Sequence, residues 1–140
     1  MNIPFFNRLQ LKKVTVAVAD ENGKRAQKML EGLLADIPDL LMSCVVDTQS
    51  GKVLAFYTTS NTYNPNQISL RNAKLLRTMD DALATKAWVG GPLTDASIIL
   101  EDQLHHLRPI NDGKWYCFLA VRMADANLGI AKEIMRRHTS

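Results

Sequence analysis

Two apolar runs, "QLHHLRPI" (103–110) and "WYCFLAVRM" (115–123), are separated only by Asn111-Asp112-Gly113-Lys114, and that spacing rules out more folds than anything else in this chain. Four turn-forming residues reverse a chain, but they cannot carry it back to begin a parallel strand, which takes a dozen or more. The two runs must therefore pair antiparallel. A second such pair lies in "LLMSCVVDTQSGKVLAFYT" (40–58), which folds about Gln49-Ser50-Gly51-Lys52, with Gly51 supplying the positive φ of a tight hairpin. With "LTDASIILE" (93–101) placed before the first run, residues 93–123 read as a three-stranded meander.

Three stretches switch to helical spacing. In "AQKMLEGLLADIP" (26–38), Ala26, Met29, Leu30, Leu33, Leu34 and Ile37 recur at three and four, Pro38 stops the pattern, and either Asp20 or Asn22 serves as the cap. The second helix, predicted over 68–89, carries Ile68, Leu75, Leu76, Met79, Ala82, Leu83 and Ala87 opposite Arg71, Lys74, Thr78, Asp81 and Thr85, and Gly90-Gly91-Pro92 ends it. That stripe is broad for a helix that covers only one sheet. The closing helix (125–138) has Asp125 as its predicted N-cap, an apolar face of Leu128, Ala131, Ile134 and Met135, and Arg136, Arg137 and His138 where cations favour the macrodipole. Gly129 there costs about 1 kcal/mol relative to alanine, which predicts close packing against a neighbour.

The order is α-β-β-α-β-β-β-α, an α+β class with a five-stranded antiparallel sheet and helices on its faces rather than a doubly wound parallel sheet. Residues 1–19 stay ambiguous: "KKVTVAVAD" alternates like a strand, but an arm or an extra helix also fits. No repeat or linker divides the remainder, so residues 20–140 are expected to form one domain behind that arm.

Composition narrows the function classes. A chain of 140 residues, 46% apolar and 22% charged, can bury a core without staples. Its net charge of +3 is concentrated at the two ends, with no basic stretch interleaved with aromatics as single-strand binders have, so nucleic acid is not a strong expectation. Cys44 and Cys117 are too few and too far apart for a disulfide framework or a metal knuckle, and both lie in apolar strands. No signal-peptide pattern or membrane-length apolar run is present, which makes the cytoplasm the expected location.

The chemistry candidates weigh toward structure. Adjacent strand residues point to opposite faces, so His105 and His106 cannot share one ion, and no metal site is expected. Cys117 with His106 is the cysteine–histidine pair to weigh for nucleophilic work, yet Trp115, Tyr116, Phe118 and Leu119 surround the thiol, and apolar burial makes a cysteine inert. Asp80-Asp81 and Glu101-Asp102 read as solvated acidic pairs. Neither GxxxxGK[ST] nor GxGxxG occurs, so no nucleotide cofactor is expected.

Two stretches carry a family resemblance. "LLADIPDLLMSCVVDTQSGKVLA" (33–55) is similar to the helix, proline, hairpin opening of the Roadblock family, the dynein light-chain roadblock type of profilin-like domain. "LHHLRPINDGKWYCFLAVRMADANLGIAK" (104–132) resembles the closing pattern of its bacterial members, and the likeness extends over about residues 20–138. Residues 1–19 and 59–67 have no counterpart in that pattern, and Asp39 stands where the family often has glycine.

The resemblance implies a non-catalytic scaffold that forms homodimers through its second helix and an edge strand, and that binds or regulates a small Ras-like GTPase or a related signalling assembly. On this sequence the dimer residues implied are Leu75, Leu76, Met79, Leu83, Ile98 and Ile99. Arg71 and Arg77 are the candidates for contact with the partner, since an arginine offered in trans can stabilise phosphoryl transfer. The alternative reading is a small-ligand sensor on the same scaffold, with a pocket lined by Trp88, Trp115 or Tyr116.

Overall fold

The computed structural model, which describes residues 13–84 and 90–140, has three helices and one antiparallel sheet of six strands. In chain order these are β1 (Thr15–Val16), α1 (Glu21–Asp36), β2 (Met42–Asp47), β3 (Val53–Thr58), α2 (Pro65–Ala84), β4 (Ala96–Ile99), β5 (Gln103–Ile110), β6 (Trp115–Arg122), a 3-10 turn (Met123–Asp125) and α3 (Leu128–Thr139). The strands lie in the order β1-β3-β2-β6-β5-β4.

Both hairpins form where the turn residues placed them. Gly51 has φ +75°, and the β5–β6 turn runs through Asn111, Asp112 and Gly113 at φ 52°, 56° and 78°, a left-handed stretch that suits these three residue types. The central strand β6 pairs with β2 (Val45 opposite Cys117) and with β5 (Leu107 opposite Phe118). It is buried on both faces from Trp115 to Val121, which explains its continuous apolar run.

Each face has its own core. On one, α1 and α3 bring Ala26, Leu30, Leu33, Ile134 and Met135 onto Val45, Ala55, Cys117 and Leu119. On the other, α2 lays Ala73 and Leu76 on Met42, Cys44, Leu107, Tyr116 and Phe118. Tyr116 also donates its hydroxyl to Ser69 O at 2.7 Å, and Ser69 Oγ donates to Gly51 O at 2.9 Å, so α2 is pinned as well as packed.

Several expectations are revised. The sheet has six strands rather than five, because Thr15 and Val16 pair with Phe56 and Ala55 and cover part of the β3 edge. Of the two capping candidates Asp20 serves, its Oδ1 accepting from Gly23 N at 3.0 Å. The closing helix starts later than predicted: Asn127, not Asp125, caps it by accepting from Ile130 N at 3.1 Å, because the Met123–Asp125 segment closes its own 3-10 turn first. Gly129 is not pressed against a neighbour. The nearest atom to a methyl added there would be Asn127 Oδ1 at 3.7 Å, an ordinary contact. Thr85, Ala87 and Trp88 lie outside the described residues.

Candidate interaction surface

The surface of interest is built from α2 and the terminal strand β4. The outer edge of β4 has no strand beside it among the described residues, so alternate backbone N–H and C=O groups there face away from the sheet. The six predicted interface residues divide by depth. Leu76 is 1% exposed and belongs to the core beneath α2, while Met79 and Ile98 are half-buried against that same core. Leu75 (37% exposed), Leu83 (41%) and Ile99 (68%) stand on the surface. Leu100, next to Ile99, is exposed as well.

Both arginines singled out from the sequence are held by this chain. Arg71 Nη2 donates to His105 Nδ1 at 3.0 Å and to Asn72 Oδ1 at 2.9 Å. A guanidinium has no acceptor, so His105 Nδ1 must accept, and its Nε2–H then donates to Gln103 Oε1 at 2.8 Å. His105 is thereby fixed as a neutral imidazole. Burial, and then the nearby Arg71 charge, push its pKa down to about 4. Its ring also meets Phe118 edge to face, with centroids 5.2 Å apart. Arg77 Nη1 donates to Thr48 O at 2.8 Å, clamping the β2–β3 turn to α2.

On the opposite face, His106 locks β4 to β5. Its Nε2–H donates to Asp95 Oδ1 at 2.8 Å, and its Nδ1 shares a hydrogen bond of 2.7 Å with Ser97 Oγ. Arg108 Nη1 adds an ion pair to Asp95 Oδ2 at 3.1 Å. Burial works to raise the Asp95 pKa, but the hydrogen bond from His106 and the Arg108 charge outweigh it and hold the carboxyl below its usual range. With both ring nitrogens engaged, His106 has none left for Cys117. Burial pushes the Cys117 thiol up to about 12 and raises Cys44 further, so both are inert thiols at neutral pH.

The two histidines thus face opposite sides, as the strand period required, but neither network was legible beforehand. The signal in the sequence was the pair of imidazoles in a strand that also carries Gln103 and Arg108. Trp115 and Tyr116 also point to opposite faces, each packed in a separate core, and do not line one pocket together. Among the described residues no cluster of three or more His, Cys, Asp or Glu could hold a metal, and no helix is long and apolar enough to cross a membrane.

A six-stranded antiparallel sheet in this order, with α1 and α3 on one face and α2 on the other, has the fold of Roadblock-type domains. The solved structures that it resembles include MglB from Myxococcus xanthus (TM-score 0.75, 8% identity, covering 89% of this chain and 89% of that one). They also include a Roadblock/LC7 domain from Streptomyces avermitilis (TM-score 0.68, 12% identity, 86% and 92% covered) and the gliding protein MglB from Thermus thermophilus (0.66, 14%, 89% and 90%). No family model matches the chain, and no curated protein matches it in sequence.

Proposed function

We propose that this chain is a homodimeric, non-catalytic interaction domain that binds or regulates a small Ras-like GTPase or a related signalling assembly. The observation that carries the reading is that β4 has an open edge among the described residues, with Ile99 and Leu100 exposed on and beside that strand, while α2 exposes Leu75 and Leu83. An unpaired edge and exposed large apolar side chains are each a liability in a monomer, and pairing with a second copy removes both. The likeness in fold to MglB and to a Roadblock/LC7 domain supports the same assignment.

In this reading Leu75, Leu83 and Ile99 form the contact layer, with Leu76, Met79 and Ile98 beneath them. Arg71 and Arg77 belong to the surface offered to the GTPase, where their remaining N–H donors meet it. Their hydrogen bonds to His105, Asn72 and Thr48 suit fixed positioning groups better than an arginine that swings into a partner's nucleotide site.

Light scattering over a dilution series tests the dimer, with a persistent two-chain mass expected and a monomer at micromolar concentration overturning it. Leu75→Glu is expected to shift that mass toward one chain without changing the fold. Pull-down with a Ras-like GTPase in its GDP and GTP states then tests the partner. Retention in one state supports the reading, and loss in both removes the GTPase from it while leaving the dimer.

A further inference from the structure

The charges along α2 are segregated. Arg71, Lys74 and Arg77 occupy its first two-thirds, and Asp80 and Asp81 follow near the end of the described helix. The first turn of α2 carries no acidic residue to favour its macrodipole. Among the described residues Lys74, Asp80 and Asp81 are drawn into no ion pair, and all three are exposed. At 100° per residue, Lys74 and Asp81 lie about 20° apart around the helix and roughly 10.5 Å apart along it. Beside them runs a second stripe, Leu75, Thr78 and Ala82, on the flank from which Arg71 reaches β5. Thr78 turns its hydroxyl back onto Lys74 O at 2.8 Å and so offers a methyl to its surroundings.

We propose that these residues form a self-complementary register for a second copy of this chain: α2 packs antiparallel on α2 of the second copy, with Lys74 of each level with Asp81 of the other and Thr78 at the two-fold axis. The inference rests on the dimer reading above and adds what selects the partner and fixes the alignment. Two separate features agree on it. Placing Lys74 level with Asp81 of the second copy also sets Leu75 between Thr78 and Ala82 of that copy, in alternating steps of about 3 Å along the axis. Charge and shape therefore call for one register, and a helix of the same apolar character but uniform charge would be refused.

Charge reversal tests it. Lys74→Asp places two like-charge contacts in the dimer, as does Asp81→Lys, and each is expected to weaken self-association about ten-fold in low salt. High salt should shrink the effect, since exposed charges are screened over about 10 Å. Mixed together, the two variants should form a heterodimer in which both contacts are attractive, visible by native mass spectrometry. As a check independent of charge, Thr78→Cys should cross-link to itself on oxidation and Asp81→Cys should not. If both reversed variants dimerise as tightly as the parent, or only Asp81→Cys cross-links, the register is wrong while the dimer stands. A monomeric parent chain would remove the dimer and the register together.

Discussion

Arg71 on α2 and His105 on β5 are joined by a hydrogen bond of 3.0 Å that depends on His105 being neutral. In the unfolded chain a histidine takes up a proton near pH 6.5, whereas in the fold His105 does so only at about 4. The unfolded state therefore binds the proton first as the pH falls. This contribution to stability is complete above about pH 6.5 and is lost as the pH drops through 4, at up to about 1.4 kcal/mol per pH unit and about 3 kcal/mol in all. Chemical denaturation from pH 7 to pH 4 is expected to show that slope, and His105→Gln to flatten it. An unchanged slope in the variant would assign the acid sensitivity elsewhere.

The Asp95 carboxylate receives both His106 and Arg108 in a largely buried setting. Asp95→Asn keeps the shape but leaves the Arg108 charge without its counter-ion. A loss of about 2–3 kcal/mol is expected, with hydrogen exchange accelerating first in β4. Global destabilisation with β4 protection intact would argue against its role as the latch of that strand.

Gly23 lies in the first turn of α1, where an added methyl would overlap the backbone oxygen of Val18. Alanine normally gains about 1 kcal/mol over glycine in a helix. Here the obstacle is main chain and cannot swing away, so the sign reverses. Gly23→Ala is expected to lower stability by about 1–3 kcal/mol, measured by urea unfolding, because the segment that leads from β1 must move.

Cys44 and Cys117 are fully buried, with burial raising both thiols. A thiol reagent at neutral pH should modify neither in the folded protein, and both at the rate of unfolding. Rapid labelling of Cys117 under native conditions would revive the nucleophile that the structure otherwise argues against.

Much of the fold could be read directly from particular residues. The short turns at 49–52 and 111–114 dictated antiparallel pairing, the spacing of Leu30, Leu33 and Leu34 marked α1, and the unbroken apolar run of β6 implied a strand covered on both faces. Those signals are local, because strand period, helix period and turn chemistry act over a few residues. What local signals did not decide was competition between neighbours. Asn127 displaced Asp125 as the cap only because Met123–Asp125 had formed a turn of its own, and the ambiguous alternation at Val14–Val16 became a strand only because the β3 edge was there to pair with.

The candidate surface divides in the same way. Residue order alone makes the apolar stripe of α2 broader than one sheet requires and sorts the charges of that helix along its length. Which of those side chains remain outside is a matter of packing in three dimensions. Leu76 is consumed by the sheet while Leu75, one residue away, is left exposed, because the rotation of α2 about its axis is set by Ser69, Ala73 and Tyr116 beneath it. Among the described residues the strand order likewise leaves β4 with an open edge and shelters part of β3 behind β1. Exposure follows from the summed packing of residues far apart in the chain, which no pattern within a single helix or strand contains.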